Sequence, residues 1–125
     1  MPPKLKSGIQ IMNLHNCKPS ERYDVIVDRT TELGNPYYMI NSNSDAPAMT
    51  RDEVCDKYQE RFDRILRNQI EKTPKRSHVR VYRELFTLVN IYRLYGRVRL
   101  FCWCAPKRCH ADTLKNYLEQ LNLKR

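Results

Sequence analysis

Leu100-Phe-Cys-Trp-Cys-Ala-Pro-Lys-Arg-Cys-His-Ala-Asp112 is the stretch on which the reading of this chain turns. Val98, Leu100 and Cys102 alternate with Arg99 and Phe101, which is the period of a strand. Leu114, Tyr117, Leu118 and Leu121 then recur at helical spacing. Ala105–Arg108 is left as the loop between them, and Cys109–Asp112 opens the helix. Three of the five cysteines and one of the three histidines fall within nine residues of this junction. In α/β proteins, ligands gather at the carboxyl ends of strands and at the first turns of helices. The segment is therefore expected to be the working site.

Upstream, Ile9, Ile11 and Leu14 suggest a short first strand, and Tyr23-Asp-Val-Ile-Val-Asp28 a second, rich in β-formers. Gly34-Asn35-Pro36 reads as a turn: glycine permits positive φ, asparagine hydrogen-bonds its own backbone, and proline fixes the next φ. Asn41–Pro47 reads as a polar loop. Thr50-Arg-Asp-Glu53 is a capping box, and Val54, Tyr58, Phe62, Ile65 and Leu66 continue it as a helix that fades near Glu71, before Pro74. A basic linker, Lys75–His78, leads to a second helix with Val81, Leu85, Leu88, Val89 and Tyr92 on one face, stopped at Gly96.

The expected order is β-β-α-α-β-α. It points to an α/β class protein: a small, Rossmann-like layered fold, in two or three layers, with a short sheet that is at least partly parallel. Residues 1–125 are read as a single domain, with 1–8 a disordered tail and 9–121 the core. The N-terminus lacks an apolar signal region, and no apolar run approaches a membrane span. The odd, clustered cysteine count fits reduced thiols better than a secreted disulfide scaffold. The expectation is a soluble cytoplasmic protein, in the host cytoplasm if viral, with no membrane partner.

The formal charge of +9 is unevenly spread. Residues 1–73 hold eleven Lys and Arg against eleven Asp and Glu, whereas residues 74–125 hold twelve against three. The excess lies beside the Cys/His segment and favours an anionic ligand or partner, nucleotide or nucleic acid. A solvated basic surface is the plainer alternative. The arginines and tyrosines of Val79–Glu84 and Ile91–Arg93 are equally explained by a helix with tyrosines inward and arginines outward.

Cys102, Cys104, Cys109 and His110 offer four zinc-compatible groups, but two lie one residue apart on a strand face and two are adjacent. The spacing is poor for a metal, and neither a metal site nor a cofactor is expected. As a strand–loop–helix ligand site the segment is more coherent. Lys107 and Arg108 add charge to a helix start, which suits a phosphate. The same field would lower the pKa of Cys109 and make its thiolate accessible. His110 is a candidate proton carrier. Asp112 is a cap, a ribose-hydroxyl acceptor or a carboxylate orienting His110. Cys109, His110 and Asp112 are the candidate catalytic residues; Arg29, Asn35, Cys104, Lys107 and Arg108 are the candidate ligand-binding residues. Buried structural roles for the cysteines, Cys102 above all, are the competing explanation. Cys102-x5-Arg108 also meets the minimal spacing of cysteine phosphatases, without the small, glycine-rich residues that let amides wrap a phosphate.

Val25-Ile-Val-Asp-Arg29, Leu33-Gly-Asn-Pro-Tyr37, Thr50–Tyr58 and Leu100–Asp112, in that order, resemble domain-of-unknown-function family 4326, widespread in phages, bacteria and some large viruses. The resemblance spans roughly residues 9–121, and the Cys-Trp-Cys-Ala-Pro-x-x-Cys-His block is its most specific part. Asp28 stands where the family usually has glycine before the arginine, and Ala111 where glycine is common. The resemblance implies a small α/β fold and a pocket around Arg29, Asn35, Cys104, Cys109, His110 and Asp112. It implies no particular activity; its outline is similar to Rossmann-like nucleotide-binding domains, an analogy of fold alone.

The expected function is a nucleotide- or nucleic-acid-phosphate-binding α/β domain, with hydrolysis of a nucleotide-derived substrate as the reaction to test. The alternatives are a non-enzymatic basic accessory protein that binds nucleic acid or a host protein, and a zinc-stabilised interaction module.

Overall fold

Three parallel strands, Ile9–Asn13, Val98–Cys102 and Asp24–Ile26 in that spatial order, organise the molecule. The structure is a computed structural model that describes residues 8–36, 50–68, 75–105 and 107–121. Its elements are β1 (Ile9–Asn13), β2 (Asp24–Ile26), α1 (Arg51–Asn68), α2 (Arg76–Tyr95), β3 (Val98–Cys102) and α3 (His110–Gln120). This is the expected element order, and the sheet is parallel throughout.

β3 is central, pairing Val98–Cys102 with Ile9–Asn13 on one side and Arg99–Phe101 with Asp24–Ile26 on the other. Central parallel strands are covered and read as apolar runs. Val98, Leu100, Phe101 and Cys102 are accordingly all buried. Val98, Leu100 and Cys102 share a core with Tyr58, Phe62 and Ile65 of α1, Val81, Leu85 and Leu88 of α2, and Leu114 and Leu118 of α3. α2 and α3 lie against the sheet on this face, and α1 packs against both of them. Arg99 and Phe101 lie on the other face, the Arg99 guanidinium 5.3 Å from the Phe101 ring centre.

Local signals explain most of the element ends. Thr50 and Glu53 form the reciprocal capping box: the Glu53 amide donates to Thr50 Oγ1 (3.1 Å), and the Thr50 amide to Glu53 Oε1 (3.3 Å). Gly96 closes α2 at φ 70°, the left-handed conformation that glycine adopts without a Cβ penalty, and its amide donates to the Tyr92 carbonyl. Two expectations are corrected. Arg76–His78 are not linker but the first turn of α2. Asn68 makes this possible, because its Oδ1 accepts from the Lys75 amide (2.9 Å) and sits 2.8 Å from His78 Nδ1. β2 is also shorter than the β-forming run, because Asp28 turns the chain with its own carboxylate, which accepts from the Thr30 amide. The tail, the polar loop at 41–47 and the expected helix end near Glu71 lie outside the described residues, Gly8 excepted; its carbonyl accepts from the Val98 amide.

Candidate functional site

All three strands end at the same edge of the sheet, and a cleft opens beside it. Three segments wall this cleft. The turn after β2 supplies Arg29 and Asn35; the first turns of α1 supply Arg51, Val54 and Cys55; the β3–α3 junction supplies Cys104, Arg108, Cys109 and His110.

Six of the eight residues singled out by sequence therefore meet in one place. Lys107 and Asp112 do not line the cleft. Asp112 acts as the cap of α3: its carboxylate accepts from the Cys109 amide (3.0 Å), while the Asp112 amide points back to the Cys109 side chain.

Asn35 ties its turn to α1 and to Arg29. It is buried, its Nδ2 donates to the Val54 carbonyl of α1 (3.4 Å), and its carbonyl accepts from the Arg29 guanidinium. Gly34 serves a purpose other than the expected positive φ, which among the described glycines occurs at Gly96. A Cβ on Gly34 would stand 2.1 Å from the Asp28 carbonyl oxygen and 2.6 Å from Arg29 Cα. The glycine lets the turn fold back against the backbone that carries Arg29.

Arg108 reaches across to α1, donating to the Asp52 carboxylate (2.8 Å) and to Asp56 (2.9 Å). Arg51 donates in return to the Arg108 carbonyl (3.2 Å). These contacts fasten the β3–α3 loop to the start of α1. They also draw much of the Arg108 charge toward two carboxylates. Arg51 was not singled out by sequence; its one signal was its place at the first position of a capped helix.

The expectation for Cys109 is overturned. Cys102 and Cys109 are both buried, with sulfurs 3.3 Å apart. The Cys109 thiol, followed by the amides of Cys104 and Ala105, holds Cys102 below the usual thiol range despite its burial. Cys109 is pushed up, by its bond to Cys102 and then by its own burial. The lowered thiol is therefore Cys102, under the core, and the helix-start field that was to activate Cys109 is outweighed. Cys55 is also pushed up by burial. Among the described residues no three ligating side chains are grouped so as to hold a metal ion.

His110 is the other buried polar group. Its ring packs 5.2 Å from that of Tyr58, and its Nε2 bonds the Val27 carbonyl at the end of β2. A carbonyl only accepts, so Nε2 carries the proton and Nδ1 the lone pair. Burial, aided by the nearby Arg29 charge, lowers its pKa and favours the neutral ring. The site thus combines arginines, a neutral imidazole and a half-buried thiol, Cys104, at the rim of a parallel sheet.

One residue beyond β3, Trp103 turns outward. Its indole N–H donates to Asp28 Oδ2 (2.9 Å), and its ring meets His15 edge-on at 4.6 Å. Burial would raise the Asp28 pKa, but bonds from the Thr30 hydroxyl and amide and from Trp103 bring it below the usual carboxylate value.

A family model described as a domain of unknown function (DUF4326) matches residues 12–120. No curated protein and no solved structure matches the chain. Among the described residues, no helix is long and apolar enough to cross a membrane.

Proposed function

The chain belongs to the family of that domain, DUF4326, and from the geometry of its cleft we propose that it binds the phosphate of a nucleotide or of a nucleic acid. The observation that carries this reading is the meeting of Arg29, Arg51 and Arg108 in one cleft at the carboxyl edge of a parallel sheet. Guanidinium groups present several N–H donors in a planar fork that matches phosphate oxygens, and such charge-assisted bonds are among the stronger ones proteins make. The location is the one where open α/β sheets receive ligands. The basic excess of residues 74–125 adds an attractive field for an anion.

Size narrows the ligand. The cleft is far smaller than the roughly 300–1,000 Å³ pockets that enclose drug-sized molecules. In this reading it takes the phosphate group alone and leaves the remainder of the nucleotide at the rim. Hydrolysis at that phosphate would draw on His110, whose neutral ring offers a lone pair for proton transfer.

A second reading is favoured by α2, where Arg76, Arg80 and Arg83 line an open groove with Val79. A long nucleic acid lying there would bind with steep salt dependence. Calorimetric titration with a nucleotide panel, at low and moderate salt, tests the leading reading. Nucleotide binding that is lost in a folded Arg29→Gln/Arg51→Gln variant supports it. Wild-type affinity in that variant overturns it, and binding of long DNA or RNA without mononucleotides moves the function to α2.

A further inference from the structure

We propose that Trp103 is a stacking platform for the base of the same ligand, so that the smallest unit recognised is a phosphorylated nucleoside rather than phosphate alone. This rests on the phosphate reading of the cleft and adds a subsite outside it.

The preceding residues of β3, Leu100, Phe101 and Cys102, are at most 1% exposed, yet Trp103 keeps 50% of its surface open. A large aromatic ring held in water loses the apolar burial that would be its main contribution to stability. The ring is nevertheless fixed. Asp28, itself buried, takes the indole N–H, and the Thr30 amide holds the other oxygen of that carboxylate (3.0 Å). Asn13 Nδ2 pins the loop by donating to the Ala105 carbonyl (2.7 Å), and His15 contacts the ring edge-on. Four residues from β1, β2 and their following turns thus hold in place a side chain that contributes little to the core. Fixing an aromatic face in advance reduces the ordering cost of whatever binds to it.

The platform and the cleft are built from the same two chain segments. Asp28, which holds the indole, directly precedes Arg29; Trp103 directly precedes Cys104; and both Arg29 and Cys104 line the cleft. In this proposal a ligand whose phosphate lies among the cleft arginines extends past Cys104 toward this ring. Bases stack on tryptophan with little regard to sequence, because each has a π-face. Charge at the cleft and an aromatic plane at its rim are complementary to the two ends of one nucleotide. Free mononucleotides and the terminal nucleotide of an oligonucleotide share this chemistry.

Trp103 is the chain's single tryptophan, so intrinsic fluorescence reports this ring alone. The wild-type protein is titrated with inorganic phosphate, ribose 5-phosphate, adenosine and guanosine monophosphates, and a 5′-phosphorylated trinucleotide, following emission and heat. The expected result is quenching, with protection from acrylamide, by the ligands that carry a base. Ribose 5-phosphate is expected to bind roughly tenfold more weakly than the mononucleotides. Trp103→Leu should lose that margin while binding ribose 5-phosphate as before; Trp103→Phe, which keeps a ring, should retain most of it. Tighter binding of the trinucleotide than of the mononucleotides supports the platform and assigns the ligand to a polymer end. Equal affinities for ribose 5-phosphate and the mononucleotides, with emission unchanged, overturn the platform and leave the phosphate cleft standing. No binding of any phosphorylated probe overturns both.

Discussion

The sulfurs of Cys102, the last residue of β3, and Cys109, the N-cap of α3, lie 3.3 Å apart beneath the cleft. The two residues bracket the loop that carries Trp103, Cys104 and Arg108, so their contact closes that loop at its base. Cys109 is the first of the donors that hold the Cys102 thiol low. Cys109→Ala removes that donor and leaves Cys102 buried, where an unassisted thiolate is disfavoured. The Cys102 thiol is then expected to titrate at higher pH, which ultraviolet thiolate absorbance against pH measures in a background lacking the other cysteines. In the wild-type protein, Cys17 and Cys104, the half-buried thiols, should alkylate first; Cys55, Cys102 and Cys109 should follow only on unfolding. Rapid native labelling of Cys109 would contradict this arrangement.

On the opposite face of the sheet, Asp24 and Arg99 join β2 to β3 through two bonds of 2.7 Å, from Nε to Oδ1 and from Nη2 to Oδ2. The Asp24 side chain is 1% exposed. Burial alone would raise its pKa, but Arg99 and the amides of Ser20 and Glu21 bring it down from 3.8 to about 2. A depressed carboxylate pKa stabilises the fold above the unfolded value. That stabilisation is fully present above about pH 4 and is lost as pH falls from 3.8 toward 2. Asp24→Asn leaves Arg99 without its counter-charge and is expected to cost about 3 kcal/mol in urea unfolding at pH 7. The acid sensitivity in that window should shrink with it.

The layout of the last strand and helix was legible because two periods meet there: Leu100 and Cys102 at two, Leu114 and Leu118 at the helical spacing, with Cys109 and Asp112 at the junction. Thr50 and Glu53 announced α1 for the same local reason. Strand order was not legible. Nothing in Ile9–Asn13 or Asp24–Ile26 says that both pair with β3, since pairing is settled by how the helices pack over one face. The site was legible in part. Arg29 and Cys104 lie just beyond strand ends and His110 opens α3, which chain order reveals. Arg51 reaches the cleft through the contact of α1 with a loop more than fifty residues away, held by Arg108 with Asp52 and Asp56. Such a long-range tie leaves no periodic trace. Neither does the coupling of Cys102 to Cys109, which reversed the expectation about which thiol is lowered.

His110 gives the fold a second pH dependence, separate from that of Asp24. Its pKa lies below the ordinary 6.5, chiefly because burial disfavours the imidazolium. As pH falls below about 6.5, the unfolded chain takes up a proton that the folded protein resists, so stability falls. The loss continues until pH passes the folded pKa, where both states are protonated. His110→Gln keeps an amide donor for the Val27 carbonyl and removes the titration. It should lower stability at neutral pH by about 1–2 kcal/mol, through lost packing against Tyr58. It should also flatten the fall in urea midpoint between pH 7 and pH 5. An unchanged slope would place the titrating group elsewhere.

Gly34 joins stability to binding. Its amide donates to the Thr31 carbonyl (3.0 Å), and its Cα faces the backbone at Asp28 and Arg29 so closely that a methyl group would overlap both. The atoms in the way are main chain, so a side-chain rotation cannot relieve the clash. Gly34→Ala must push the turn away from Asp28, and Arg29, Asn35 and the indole bond to Asp28 move with it. Overpacking of this kind costs about 1–3 kcal/mol, which is expected as a lowered urea midpoint with an unchanged slope. Because Arg29 and Asp28 both shift, nucleotide affinity should fall by more than in Arg29→Gln alone, and Trp103 emission should change in the unliganded protein. Glu32→Gln, in the same turn but with its carboxylate turned to Arg80 of α2 (3.5 Å), should leave both the affinity and the emission near wild type. Wild-type affinity and emission in a folded Gly34→Ala protein would show that the turn does not hold the site.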